Sequence, residues 1–254
     1  MNSPSNTDVF EYALRLGDDA LTLGHRLSEW TAKAPFLEED IALGNIALDF
    51  VGRARLLLTY AGEVENQGRD EDQLAYLRDT RQYRNLLICE LPIGNFADTM
   101  ARQLLIDAFE VPYFQALSES SNTTIAGIAG KAVKEAQYHL RHSSGWVVRL
   151  GDGTDESREK MAKAFEDVWG YASEMFITDP LETRLAEAGV AVQREPLQSQ
   201  WRDQVELILR EATLDLPQAT WQVDGGRRGE HTEHLGHLLA QLQFLQRAYP
   251  GLQW

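Results

Sequence analysis

Eight segments of the sequence place apolar residues three and four positions apart, and almost none alternates apolar with polar residues. The first spacing is that of helices with one buried face, whereas alternation would indicate β-strands. We therefore predict an all-α protein with helices within 8–32, 37–65, 71–89, 95–118, 122–150, 155–188, 195–212 and 232–248. Turn-forming stretches such as "LPIGN" at 91–95 and "GDGTD" at 151–155 separate these segments.

Two of the predicted helices, 37–65 and 122–150, would each be about 40 Å long. Long helices pack as antiparallel pairs around one core, so we predict a four-helix bundle with additional C-terminal helices. No long linker rich in Ser, Pro or Gly divides the chain, which predicts one domain over 1–254. The stretch 41–58, "IALGNIALDFVGRARLLL", is apolar almost all round and is predicted to lie in the middle of the bundle.

The composition excludes several classes of function. The formal net charge of −15 argues against binding to nucleic acid or to anionic membranes, because such surfaces need clustered cations. No stretch approaches the roughly 18 apolar residues of a membrane span, and the start "MNSPSNTD" lacks the features of a signal peptide. Cys89 is the single cysteine, and its apolar neighbours predict a buried, unreactive thiol. We therefore expect a cytoplasmic protein.

Four ionisable residues occupy positions that helical spacing assigns to the core: Asp49, Arg53, Asp107 and His139. Asp49 and Arg53 are four residues apart, a spacing that allows an ion pair on one helix. Asp107 and His139 each interrupt an apolar stripe of a different helix. Isolated buried charges are costly, so such groups either pair with one another or bind a metal.

The metal alternative can be tested by counting ligands. Di-iron proteins built on helical bundles use about six ligands, including Glu-x-x-His pairs on one helix face. The residue three positions before His139 is Ala136, and Glu135 misses that position by one. We therefore predict no metal site and interpret the four residues as a polar cluster, with a weak single-metal site as the alternative.

Several stretches of the sequence are more specific than a generic helical pattern. The clearest are "LPIGNFADT" within 85–109 and "HTEHLGHLL" within 229–251; others are "RLGDDALTLGHRLSEW" (15–30), "DIALGNIALDFVGRARLLL" (40–58) and "KAVKEAQYHLRHSSGWVVRLGDGTD" (131–155). Together they cover almost the whole chain. In these stretches the sequence resembles the C subunits of the bacterial ring-1,2-phenylacetyl-CoA epoxidases, multicomponent monooxygenases of aerobic phenylacetate breakdown.

The resemblance implies a ferritin-like fold and a non-catalytic, structural role. In that family a catalytic A subunit holds the di-iron centre, and the C subunit packs against it, so no cofactor is expected in this chain. The second half of the A subunit's iron site corresponds here to Asp107, Ala136 and His139, and its first Glu-x-x-His corresponds to Leu48 and Val51. The resemblance thus implies that Asp107 and His139 are remnants of a decayed metal site. The B subunit and a second copy of the chain are further partners that it implies.

The loop "DGGRRGE" at 224–230 precedes a helix N-terminus, where backbone N–H groups could face an anion. Two interpretations stay open: a solvated turn, or a contact of Arg227, Arg228 and His231 with a CoA ester or a partner subunit. Thr232 is predicted to cap the following helix. Two other functions also remain as alternatives, a self-contained ferritin-like metal-dependent oxidoreductase and a stand-alone helical binding or storage protein.

Overall fold

The computed structural model describes residues 4–218 and 220–252, and within these ranges the chain is helical and contains no β-strand. The all-α prediction is therefore confirmed. Short 3₁₀ helices lie at Thr80–Gln82, Ala172–Phe176 and Gly226–Arg228. The α-helices of the described residues are α1 (Asn6–Ser28), α2 (Leu37–Glu65), α3 (Glu71–Tyr76), α4 (Leu87–Glu90), α5 (Phe96–Leu117), α6 (Thr123–Gly151), α7 (Asp155–Trp169), α8 (Pro180–Glu187), α9 (Leu197–Glu211), α10 (Glu233–Leu242) and α11 (Phe244–Ala248).

Three of the predicted helices are each divided into shorter helices, in two cases by a capping side chain. Within 71–89, the side chain of Gln82 accepts a hydrogen bond from the backbone N–H of Asp79, at 2.7 Å, and a new turn begins there. Within 155–188, Asp179 caps α8, and Pro180 occupies the first position of that helix, where proline is favoured. Gln243 separates α10 from α11 within 232–248. The side chains of Gln82 and Asp179 satisfy backbone groups at new helix ends, and the spacing of apolar residues does not predict such caps.

The residues group into two compact units. One unit contains residues 4–92 and 224–252. In it, α1 and α2 pack along their lengths, and α1 is buried on most sides, with Tyr12 and Leu27 fully covered. Helix α4 packs against α1, α3 packs against α2, and α10 packs against α4. The long α1–α2 pair is the arrangement expected of one half of a helical bundle.

The other unit, Ile93–Val223, is built around α5 and α6. All residues of α5 from Thr99 to Glu110 are buried, so this helix is the central one of its unit. The buried face of α6 is lined mainly by small residues, including Ala129, Ala132 and Ala136. Small side chains let two helix backbones approach closely, and this brings polar groups of α5 and α6 within reach of each other.

The prediction that 41–58 lies in the middle of the bundle is wrong. Ile41, Leu48 and Leu56 are 57%, 69% and 44% exposed, so α2 presents an apolar face to solvent. The apolar composition of a helix shows that its side chains avoid water. It does not show whether they are covered by the same chain or by another chain. Cys89 is buried, as predicted, whereas a single domain over 1–254 stays a prediction. None of the described helices is long and apolar enough to span a membrane.

Candidate functional site

A buried cluster of two carboxylates and one imidazole lies between α5 and α6. Asp107 and Glu110 stand three residues apart on one face of α5, and His139 projects from α6. One potential ligand atom from each residue lies within 4.8 Å of the others, and all three residues are buried. The close approach of the two helices thus brings His139 next to two carboxylates that lie at least 29 residues earlier in the chain. We call these three residues the buried cluster.

The carboxylate of Asp107 accepts hydrogen bonds from two neutral side chains. The hydroxyl of Ser143, one turn beyond His139 on α6, donates to Oδ2 of Asp107 at 2.7 Å. The amide Nε2 of Gln103, one turn earlier on α5, donates to Oδ1 at 2.8 Å. Both donors are fully buried. Buried carboxylates need such partners, so this network stabilises Asp107 in the core without requiring a metal.

The residues present do not fit a di-iron centre. Two irons in a helical bundle need about six ligands, among them two Glu-x-x-His pairs. Over residues 4–218 and 220–252, the buried cluster is the one group of three or more potential metal-binding side chains, and it supplies three. Ala136 stands where a glutamate would precede His139. Leu48, which the resemblance aligns with a ligand of the first half-site, is 69% exposed and offers no ligand atom.

Asp49 and Arg53 belong to the unit that contains α1 and α2, whereas Asp107 and His139 belong to the other unit. Arg53 is buried, and its guanidinium lies 4.8 Å from the centroid of the Phe50 ring. Asp49 is only half-buried. A polar cluster that joins all four residues stays a prediction.

The three residues predicted to contact a CoA ester or a partner have different surroundings. Arg227 is mostly buried and donates two hydrogen bonds to the carboxylate of Asp19, at 2.7 and 3.0 Å. Arg228 is exposed and pairs with the surface carboxylates Asp224 and Glu230. Arg227 thus fastens the loop at 224–230 to α1, and Arg228 is the more accessible cation. A contact with a CoA ester or a partner stays a prediction.

The side chain of His231 is buried and is hydrogen-bonded through both ring nitrogens. Nδ1 lies 2.8 Å from the carboxylate of Glu90, and Nε2 lies 3.0 Å from the backbone carbonyl of Tyr83. Because a carbonyl can only accept, Nε2 carries a proton, and a second proton must lie between Nδ1 and Glu90. The backbone N–H of Thr232 also donates to Glu90, at 2.6 Å. This arrangement binds the segment before α10 to α4.

The family model described as "Phenylacetic acid catabolic protein" matches residues 1–254. The chain belongs to this family. It is 51% identical over 243 residues to the C subunit of the 1,2-phenylacetyl-CoA epoxidase of Escherichia coli (strain K12), and the match covers 96% of this chain and 98% of that protein. The resemblance inferred from the sequence is thereby confirmed, and a ferritin-like bundle is consistent with membership of the phenylacetic acid catabolic family.

Sequence reasoning missed two residues that matter in this member of the phenylacetic acid catabolic family. The apolar spacing on α5 continues through Val111 and gives no reason to single out Glu110. Its position three residues after Asp107 is the signal in the sequence, because residues at that spacing lie on the same face of a helix. Glu90 was overlooked because its partner His231 is 141 residues away in the chain. No local spacing relates two residues at that separation.

We expect His231 to make stability depend on pH. Burial alone would lower the pKa of its imidazole, but the hydrogen bonds to Glu90 and to the Tyr83 carbonyl outweigh burial and raise that pKa. A raised pKa in the folded state stabilises the fold below the unfolded pKa of about 6.5, and this contribution is lost as pH rises through the folded value. The free-energy difference between the wild type and His231→Gln, measured by urea unfolding, should therefore shrink between pH 6 and pH 9. A difference independent of pH would contradict this account.

Proposed function

We propose that the chain is the non-catalytic structural subunit of a phenylacetyl-CoA 1,2-epoxidase complex in aerobic phenylacetate catabolism. The observation that carries this function is the 51% identity, over 96% of the chain, to the C subunit of such an epoxidase. In this role the chain binds the di-iron catalytic subunit and holds it in an active conformation. Oxygen activation belongs to that partner, and this chain holds no cofactor.

The donor set of the buried cluster supports a non-catalytic role. Its three potential ligands fall short of the six that two irons need, and Asp107 already accepts hydrogen bonds from Ser143 and Gln103. The same cluster is the observation that favours the alternative, a self-contained metal-dependent oxidoreductase. The two functions differ in whether the isolated chain binds iron and turns over substrate.

A surface on α2 supports the role of a subunit. Its apolar side chains Leu37, Ile41, Leu48 and Leu56 are all exposed. Gly44 and Gly52 lie among them, and a Cβ added at either glycine would meet nothing within 4 Å. Contiguous exposed apolar surface of this kind is typical of protein interfaces. We call these residues the outer face of α2 and propose that it is covered by the catalytic subunit.

The proposed structural subunit has further candidate contacts besides the catalytic subunit. The B subunit and a second copy of this chain are further candidate partners, and the complex is expected in the cytoplasm. Arg228, whose side chain is 60% exposed, is the candidate for a contact with the CoA ester.

Mixing the chain with the candidate catalytic subunit tests the proposed function. Size-exclusion chromatography with light scattering should give a complex of fixed stoichiometry, and phenylacetyl-CoA epoxidation should require this complex together with its electron supply. Two separate peaks at micromolar concentrations would contradict the proposed function. Epoxidation by this chain in the absence of the catalytic subunit would favour the alternative.

A further inference from the structure

The solvent-facing side of α6 is basic, although the chain as a whole is acidic. Helix α6 carries four of the 24 Lys and Arg residues and only one of the 39 Asp and Glu residues. The residues of this side, which we call the basic face of α6, are Lys131, Lys134, Tyr138, Arg141 and Arg149. They are exposed, and at 100° per residue they fall within about 80° of one another, opposite the small residues that pack on α5.

Most of these cations have no carboxylate partner. Lys131 pairs with Glu135 at 3.1 Å. Among the residues that the structure describes, Lys134, Arg141 and Arg149 make no ion pair.

The two lysines of α7, which lies in the same unit, are each neutralised by a carboxylate. On α7, Lys160 pairs with Glu156 at 2.6 Å, and Lys163 pairs with Asp167 at 2.7 Å. The basic face of α6 therefore keeps a local positive potential that the paired lysines of α7 lack.

An aromatic side chain lies at the centre of this surface. Tyr138 is 47% exposed, and the guanidinium of Arg141 lies 5.8 Å from the centroid of its ring. Tyr and Arg are among the side chains most enriched at positions that dominate binding at protein interfaces. Gly145 lies on the same side of α6, and a Cβ there would meet nothing within 4 Å, so a partner can approach the backbone closely.

We propose that the basic face of α6 docks an acidic surface of the catalytic subunit; this inference rests on the proposed function. The cations extend about 27 Å along the helix, which matches a protein surface and does not converge on one small anion. A net charge of −15 repels long polyanions such as nucleic acid, whereas a folded partner can present a local acidic patch. The unpaired cations accelerate association. The contacts of Tyr138 and Arg141 slow dissociation and so lengthen the lifetime of the complex.

Association kinetics at ionic strengths from about 20 to 500 mM test this docking surface. With the catalytic subunit as the probe, the wild-type association rate constant should fall steeply as salt rises. The variant Lys134→Glu/Arg141→Glu should associate at least about tenfold more slowly at low salt and lose most of the salt dependence. The matched control Lys160→Glu/Lys163→Glu makes the same change in net charge on α7 and should stay within about twofold of the wild type. Tyr138→Ala should mainly raise the dissociation rate constant, by about tenfold.

The outcomes separate this inference from the proposed function. A wild-type complex whose association ignores salt, or equal slowing by both double variants, would overturn the docking surface and leave the proposed function standing. A wild-type chain that does not bind the catalytic subunit would overturn both. Circular dichroism melting of each variant shows whether its fold is intact, and Tyr138→Ala tests the same face without any change of charge.

Discussion

Replacing Asp18 by alanine should lower the free energy of unfolding by about 3–5 kcal/mol, because the change leaves a buried guanidinium without its counter-ion. Asp18 on α1 is fully buried, and Arg78 donates to both of its carboxylate oxygens, one at 2.9 Å. The backbone N–H of Arg84 donates to the same carboxylate at 2.8 Å. This ion pair therefore holds the segment that follows α3 against α1, and its loss affects several buried groups together.

Urea unfolding followed by circular dichroism measures this effect, with Asp224→Ala as the matched control. Asp224 pairs with Arg228 on the surface, where water replaces a lost partner, so its removal should change the unfolding free energy far less. Similar losses of unfolding free energy for both variants would show that burial does not set how much the Asp18–Arg78 pair contributes to stability.

Replacing Leu48 by aspartate should raise the Kd for the catalytic subunit at least about 100-fold while leaving the fold intact. Leu48 lies at the middle of the outer face of α2 and is 69% exposed in the free chain. Binding would bury the new carboxylate in an apolar contact, which costs free energy. Folding of the free chain would leave the same carboxylate in water, so it carries no such cost. Exposed substitutions of this kind usually change stability by less than about 0.5 kcal/mol.

Two further variants make the test of this surface specific. Leu207→Asp introduces the same change on α9, where Leu207 is 61% exposed, and should leave the Kd within about twofold of the wild type. Gly52→Leu adds a side chain where the free chain has open space, so it should fold normally and still weaken the complex. Calorimetric titration gives each Kd. Equal effects of Leu48→Asp and Leu207→Asp would contradict the assignment of the interface to α2.

The sequence predicts those features of the fold that depend on local chemistry. Helical spacing identifies the long helices, and Thr232 caps α10 as predicted, with its side chain accepting from the N–H of His234 at 3.3 Å. Asp107 and His139 are buried, as their positions on apolar stripes indicate. Ser143 completes this region because it lies one turn after His139, a relation that the sequence contains but that apolar periodicity ignores.

Other features depend on contacts between distant segments and could not be predicted. The bonds of His231 to Glu90 and of Arg227 to Asp19 join residues more than 140 positions apart. The exposure of Leu48 was not predicted because an apolar helix can be covered either by its own chain or by another. Hydrophobic patterning reports that a surface avoids water, and it does not report which molecule covers that surface.

The iron content of the purified chain after anaerobic loading with Fe(II) decides whether the buried cluster is a metal site. We expect almost no iron in the isolated chain, whether wild type or His139→Leu, and about two irons per catalytic subunit in the complex. Stoichiometric iron in the isolated wild-type chain, lost in His139→Leu, would contradict this expectation. In that case the buried cluster would be a working metal centre, and the chain would be a metalloprotein in its own right.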